Sequence, residues 1–157
     1  MAKMNAEFIN PFIAALRNVL STMAQLELVP GKPQKKTDSA AKGDVSGLIG
    51  MVGDDVKGSL SITFETSIAL KVMHNMLGEQ LESVNEDVAD MVGEITNMIC
   101  GGAKNELAKL GYNFGMATPV VVFGKNHTLS HTASGRKLIM PFANEHGKVY
   151  LEMCFDK

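Results

Sequence analysis

The chain has no tryptophan, two cysteines and only 6% aromatic residues. Cys100 and Cys154 both lie in apolar runs, where a thiol packs as a small hydrophobe, so a disulfide framework is excluded and a reducing compartment fits. Neither sign of charge is in excess: 15 basic residues stand against 17 acidic ones, for a net charge of −2. With no Lys/Arg cluster interleaved with aromatics, no nucleic-acid partner is expected. No apolar run approaches the length of a bilayer crossing, and no basic segment followed by an unbroken apolar stretch opens the chain. No membrane partner and a cytoplasmic location are therefore expected.

Motifs of several chemistries are missing as well. Neither H-E-x-x-H nor a paired C-x-x-C occurs, and His74 and His146 have no evident ligand partners. His127 and His131 have the spacing of a helical metal pair but fall in a predicted strand, Thr128–Thr132. There the spacing separates them by roughly 13 Å, and they read as surface histidines. No bound metal is expected. Gly47-x-x-Gly50-x-x-Gly53 lacks the order of a phosphate cradle and reads as close backbone packing in a sheet. Gly124-Lys125 lacks the flanking residues of a P-loop, and no serine nucleophile elbow appears. Lys32, Lys35 and Lys36 read as a solvated loop surface.

What is present is a core. A chain of 157 residues with 45% hydrophobic content supports one domain, and most of its eleven methionines read as core filler. Phe8, Ile9, Phe12, Ile13, Leu16, Val19, Leu20 and Met23 give a first amphipathic helix over about Asn5–Leu26. Asn10-Pro11 is either its N-cap and first residue or a kink after an initial turn. Pro30–Asp44, rich in Pro, Gly, Lys and small polar residues, is an exposed connection with room for a short edge strand.

Val45–Val52 and Ser59–Phe64 flank a turn and form a hairpin. In the second run Leu60, Ile62 and Phe64 face the core, while Ser59, Ser61 and Thr63 face water or a helix. Ser67–Leu77 is a short helix ended by Gly78, and Ser83 or Asn85 caps a long one, Glu86–Gly111. Strands follow at Val120–Phe123, Thr128–Thr132, Lys137–Ala143 and Val149–Phe155, the last two joined through Asn144-Glu145-His146-Gly147. This order predicts an α+β fold, with long helices packed on a largely antiparallel sheet.

The long helix organises the rest. At 100° per residue, Asp90, Glu94, Asn97 and Gly101 share one stripe, and Val88, Val92, Ile95, Ile99, Ala103 and Leu110 lie roughly opposite. Glu94 and Asn97 therefore present a carboxylate and an amide one turn apart on an outward face. An amide suits the placing of a water for in-line attack on an acyl phosphate. It accepts a hydrogen bond from the water and donates another, whereas a second carboxylate would be repelled by the phosphoryl charge. Glu-x-x-Asn also occurs at Glu7/Asn10 and Glu82/Asn85, but Asn10 precedes a proline and Asn85 sits at a helix start. Only Glu94/Asn97 lies on consecutive turns within a long helix.

Along nearly its whole length the chain resembles the CheX branch of the CheC/CheX/FliY family of chemotaxis response-regulator phosphatases. The resemblance is carried by Phe8-Ile9-Asn10-Pro11-Phe12, Gly43-Asp44-Val45-Ser46-Gly47-Leu48-Ile49-Gly50, Gly58-Ser59-Leu60 and Met76-Leu77-Gly78. Its most specific part is Gly93-Glu94-Ile95-Thr96-Asn97-Met98-Ile99 followed by Gly101-Gly102-Ala103-Lys104. Asp90, ahead of the Glu-x-x-Asn pair, and Pro119, well downstream, complete the family pattern.

The resemblance implies a single domain over 1–157 that removes the phosphoryl group from the aspartyl phosphate of a CheY-like regulator. Asn97 would orient the attacking water, and Glu94 would pair with the regulator's lysine. Asp90, Gly101 and Asn105 would contact the partner, Gly101 by letting another backbone approach. It implies no cofactor of the chain's own, with Mg²⁺ held by the regulator. One Glu-x-x-Asn helix rather than two favours the CheX type, and with it a homodimer. The alternative is a non-catalytic homodimeric binding module of the same fold in a two-component or flagellar-switch complex.

Overall fold

The computed structural model describes residues 5–38, 40–54, 56–124, 127–129, 131 and 137–155. Helix α1 spans Ala6–Ala24 and is followed by the short strands β1, Val29–Pro30, and β2, Gln34–Lys36. The hairpin of β3, Val45–Val52, and β4, Lys57–Phe64, leads into α2, Thr66–Leu77, and α3, Glu86–Lys109. Strands β5, Gly115–Met116, β6, Val120–Phe123, β7, Lys137–Asn144, and β8, Gly147–Phe155, complete the sheet. Its order is β1-β7-β8-β4-β3-β5, with β2 also on β7 and β6 also on β3, and every pairing is antiparallel.

The pleat decides which residues meet the helices. Val45, Ile49 and Met51 of β3, Leu60, Ile62 and Phe64 of β4, and Val149, Leu151, Met153 and Phe155 of β8 form one continuous buried face. Helix α3 lies across β3, β4 and β6, and α1 packs on α3 and α2. At one end of this layer Phe8 meets Phe155 edge-on at 4.8 Å between ring centroids and Tyr112 at 5.4 Å. The starts of α1 and α3 are built locally, and that of α2 is not. Asn5 Oδ1 accepts from Phe8 N–H and Asn85 Oδ1 from Val88 N–H, both at 3.0 Å, so Asn85 is the cap of α3. Asp44 reaches across from the end of the β2–β3 connection to accept from Thr66 N–H at 2.9 Å at the start of α2. Gly78, at φ +73°, ends α2 in the left-handed conformation that favours glycine.

Helix α1 starts ahead of Asn10, with Pro11 inside it, because the Asn5 cap lies a full turn earlier; of the two readings of Asn10-Pro11, the one with an initial turn before it holds. Several other expectations are corrected. In α3 the last inward apolar position is Leu107; Leu110 lies past the helical turns and is 51% exposed. Ser59, Ser61 and Thr63 face neither water nor a helix but are buried. The segment carrying His127 and His131 meets this face: Ser46 Oγ is 2.7 Å from His127 Nε2 and 2.6 Å from Thr63 Oγ1, and Ser59 Oγ is 2.5 Å from His131 Nδ1.

These histidines are therefore sheet-bound rather than free on the surface. Lys36 is likewise no solvated lysine: it is buried and donates to Glu152 at 2.8 Å, while His131 bonds the other Glu152 oxygen at 3.0 Å. Of the predicted strand Thr128–Thr132, the described residues form one bridge, Ala40 to Thr128, and Ser130 and Thr132 lie outside the described residues. Lys125 and Asn126 also lie outside them.

Candidate functional site

The outward stripe of α3 forms one wall of an open groove of about 910 Å³. Asp90, Gly93, Glu94 and Asn97 contribute from the helix, and Met116, Pro119 and Val121 from the β5–β6 segment opposite. Asp90, Glu94 and Asn97 are exposed, and none forms a hydrogen bond or ion pair with the described chain. A carboxylate and an amide with no internal partner, mounted on a 24-residue helix, are held rigidly yet stay available to another molecule.

Two close approaches set the position of this helix. Thr96, buried beside Asn97, donates to Val92 O at 2.7 Å and sits directly on Gly47 of β3. A Cβ at Gly47 would lie 2.1 Å from Thr96 Oγ1, so the helix rests on the bare backbone of the strand. A Cβ at Gly93 would lie 3.2 Å from Val121 Cγ2, so Gly93 keeps α3 near β6 and the groove narrow. The Gly47 contact is the close packing expected of that glycine run.

The groove gathers Asp90, Glu94, Asn97 and Pro119 but not Gly101 or Asn105. Asn105 is exposed further along α3, and nothing stands within 4 Å of a Cβ at Gly101. The intramolecular approach is at the neighbouring Gly102, where a Cβ would be 3.5 Å from Ala15 of α1. Sequence reasoning missed Met116, Val121 and Gly93; a glycine directly before the outward glutamate was the one local signal for the last.

Other chemistries are poorly served. Burial pushes the Cys100 thiol up to about 12 against the opposing charge of Lys104, so it is no thiolate nucleophile. Among the described residues no three His, Cys, Asp or Glu side chains converge as a metal-binding group, and no helix is long and apolar enough to cross a membrane. What the groove offers is a carboxylate for a cation and an amide for a water or phosphoryl oxygen, open to a large partner.

Comparison with known proteins agrees with this geometry. The family model described as chemotaxis phosphatase CheX matches residues 45–143, more than half of the chain. A chemotaxis protein CheX from Vibrio vulnificus is 59% identical in its crystal structure, over 96% of this chain and 100% of that one, with a TM-score of 0.89. A CheY-P phosphatase CheX from Thermotoga maritima is 27% identical over 124 residues, 78% of this chain and 79% of the relative. A CheX–CheY–BeF₃–Mg²⁺ complex from Borrelia burgdorferi is 28% identical, over 98% of this chain and 100% of that one, with a TM-score of 0.79. The helix-on-sheet fold, the Glu94/Asn97 pair it exposes and the family match together make this chain a member of the CheX family of chemotaxis phosphatases.

Proposed function

We propose that the chain hydrolyses the aspartyl phosphate of a CheY-type response regulator, with Asn97 and Glu94 as the working pair. The observation that carries this reading is the exposure of both side chains, unbonded and one turn apart, on a helix seated against the sheet by Thr96 and Gly47. Asn97 inserts beside the phosphoryl group, accepts a hydrogen bond from a water and holds it in line with phosphorus. Such transfer depends on positioning more than on covalent chemistry. Glu94 pairs with the regulator's lysine, which fixes the depth of insertion, and Asp90 lines the same groove on the partner side. Gly101 and Asn105 extend the partner-facing stripe beyond the groove. Mg²⁺ belongs to the regulator, as the composition of the Borrelia complex supports.

We also infer a homodimer. Strand β6 pairs only with β3 among the described residues, and it carries Val120 at 59% and Phe123 at 46% exposure, an apolar edge suited to a second copy. The test of the phosphatase reading is the rate of phosphate loss from Mg²⁺-bound phosphorylated regulators of the same organism, with wild type, with Asn97→Ala and with nothing added. Acceleration by wild type alone supports it. A regulator that binds but is not accelerated overturns it in favour of the non-catalytic binding module.

A further inference from the structure

Behind the groove, on the α2 side of α3, lies a second depression of about 370 Å³ that shares Asp90 and Glu94 with it. Its apolar lining is Met76, Leu77 and Met91, and Glu79 and Asp87 also border it. Leu77 stands in the last turn of α2, immediately before the left-handed Gly78, and is 61% exposed. One exposed leucine is ordinary; one placed in an apolar depression continuous with a site is not.

The charge around it is one-sided. From Val72 to Ala103 the chain has Glu79, Glu82, Glu86, Asp87, Asp90 and Glu94 and no lysine or arginine. The stretch therefore carries −6 within a net −2, leaving the remainder at +4 (−2 minus −6). None of these six carboxylates has an ion pair or hydrogen bond within the described chain.

We propose that this depression docks the surface of the response regulator next to its phosphorylation site. It takes an apolar side chain against Met76, Leu77 and Met91, and a lysine or arginine against Glu79 and Asp87. This rests on the phosphatase reading, and two arguments select the regulator as occupant. The depression shares Asp90 and Glu94 with the groove, so a protein seated over Glu94 and Asn97 lies across it. An aspartyl phosphate is also itself an anion, so its approach to a −6 stretch is repulsive unless cationic groups of the regulator offset it. Leu77 and Glu79 are then specificity determinants that act on association and not on the reacting atoms.

The experiment is a set of dissociation constants for beryllofluoride–Mg²⁺ regulators of the same organism, measured with full-length wild type, Leu77→Asn and Glu79→Lys at two salt concentrations. Both docking substitutions are at exposed positions, so the core is untouched. The expected result is binding weakened about tenfold by each of Leu77→Asn and Glu79→Lys. The salt dependence is expected to shrink in Glu79→Lys. Affinities of both variants within twofold of wild type overturn the docking surface, whatever the turnover. Weakened variants with no phosphate release by wild type uphold it and overturn only catalysis. A wild type that binds none of the regulators overturns both.

Discussion

Replacing Gly47 by alanine tests whether catalysis depends on the seat of α3. The added Cβ would stand 2.1 Å from Thr96 Oγ1 and 2.9 Å from Thr96 Cβ, where ordinary contact begins at 3.4 Å. Rotating Thr96 gives up its 2.7 Å bond to Val92 O and still leaves the short approach to its Cβ, so the helix itself must move. The shortfall is 3.4 − 2.1 = 1.3 Å at the oxygen and 3.4 − 2.9 = 0.5 Å at the carbon, which brackets the shift of α3. Overpacking of this kind costs about 1–3 kcal/mol. For a chain of this size that lowers Tm by roughly 4–8 °C at the middle of the range. If Asn97 positions the water as proposed, a displacement of its amide by about 1 Å is expected to lower turnover by roughly 10- to 100-fold.

The assay pairs thermal denaturation with phosphate release from a phosphorylated regulator. Gly47→Ala/Thr96→Gly removes the clash but adds a helical glycine, so kcat should recover while Tm stays low, by about 1 kcal/mol of stability. A Gly47→Ala protein that keeps both its Tm and its kcat refutes the claim that strand backbone at this point positions Asn97.

Four further outcomes follow from other parts of the molecule. Asn97→Ala should lower kcat about 100-fold or more with KM little changed, in phosphate-release kinetics; an equal loss carried by KM would make Asn97 a binding group only. Burial raises the Glu152 carboxyl, but the hydrogen bonds from His131 and Lys36 outweigh it, so its folded pKa lies below the ordinary 4.5. That stabilisation is complete above pH 4.5 and is lost as pH falls through the folded value; Glu152→Gln should be less stable at pH 7 with a flatter acid limb, and parallel Tm–pH curves would contradict the assignment. Cys100 should resist alkylation at pH 8 in the native protein and react once it is unfolded in denaturant; rapid native labelling of that residue would contradict its burial. Light scattering should give a dimer for wild type and a monomer for Val120→Lys/Phe123→Glu, and a monomeric wild type at micromolar concentration sets the homodimer aside.

Much of the site was legible because it sits on one helix. The 3.6-residue period alone places Glu94 and Asn97 outward and Val92, Ile95 and Ile99 inward, and the structure reproduces that division. The Asn85 cap, the Gly78 stop and the β3–β4 and β7–β8 hairpins are equally local, each set by residues within a few positions of one another. The errors at Lys36 and His131 have the opposite character. Lys36 looked like one more solvated lysine because its partner, Glu152, is 116 residues away, and His131 looked exposed because Ser59 is 72 residues away.

The chain by itself determined the three helices, the β3–β4 and β7–β8 hairpins, the antiparallel α+β class and the outward carboxylate–amide pair, since these depend on periodicity and capping between near neighbours. Tertiary structure alone decided the groove. Its far wall exists because β5 and β6 both attach to β3 and carry Met116, Pro119 and Val121 up beside α3. It also decided that the polar side of β4 is buried beneath His127 and His131. Both depend on which strand edge and which loop meet across long stretches of chain, and local pattern carries no record of that choice.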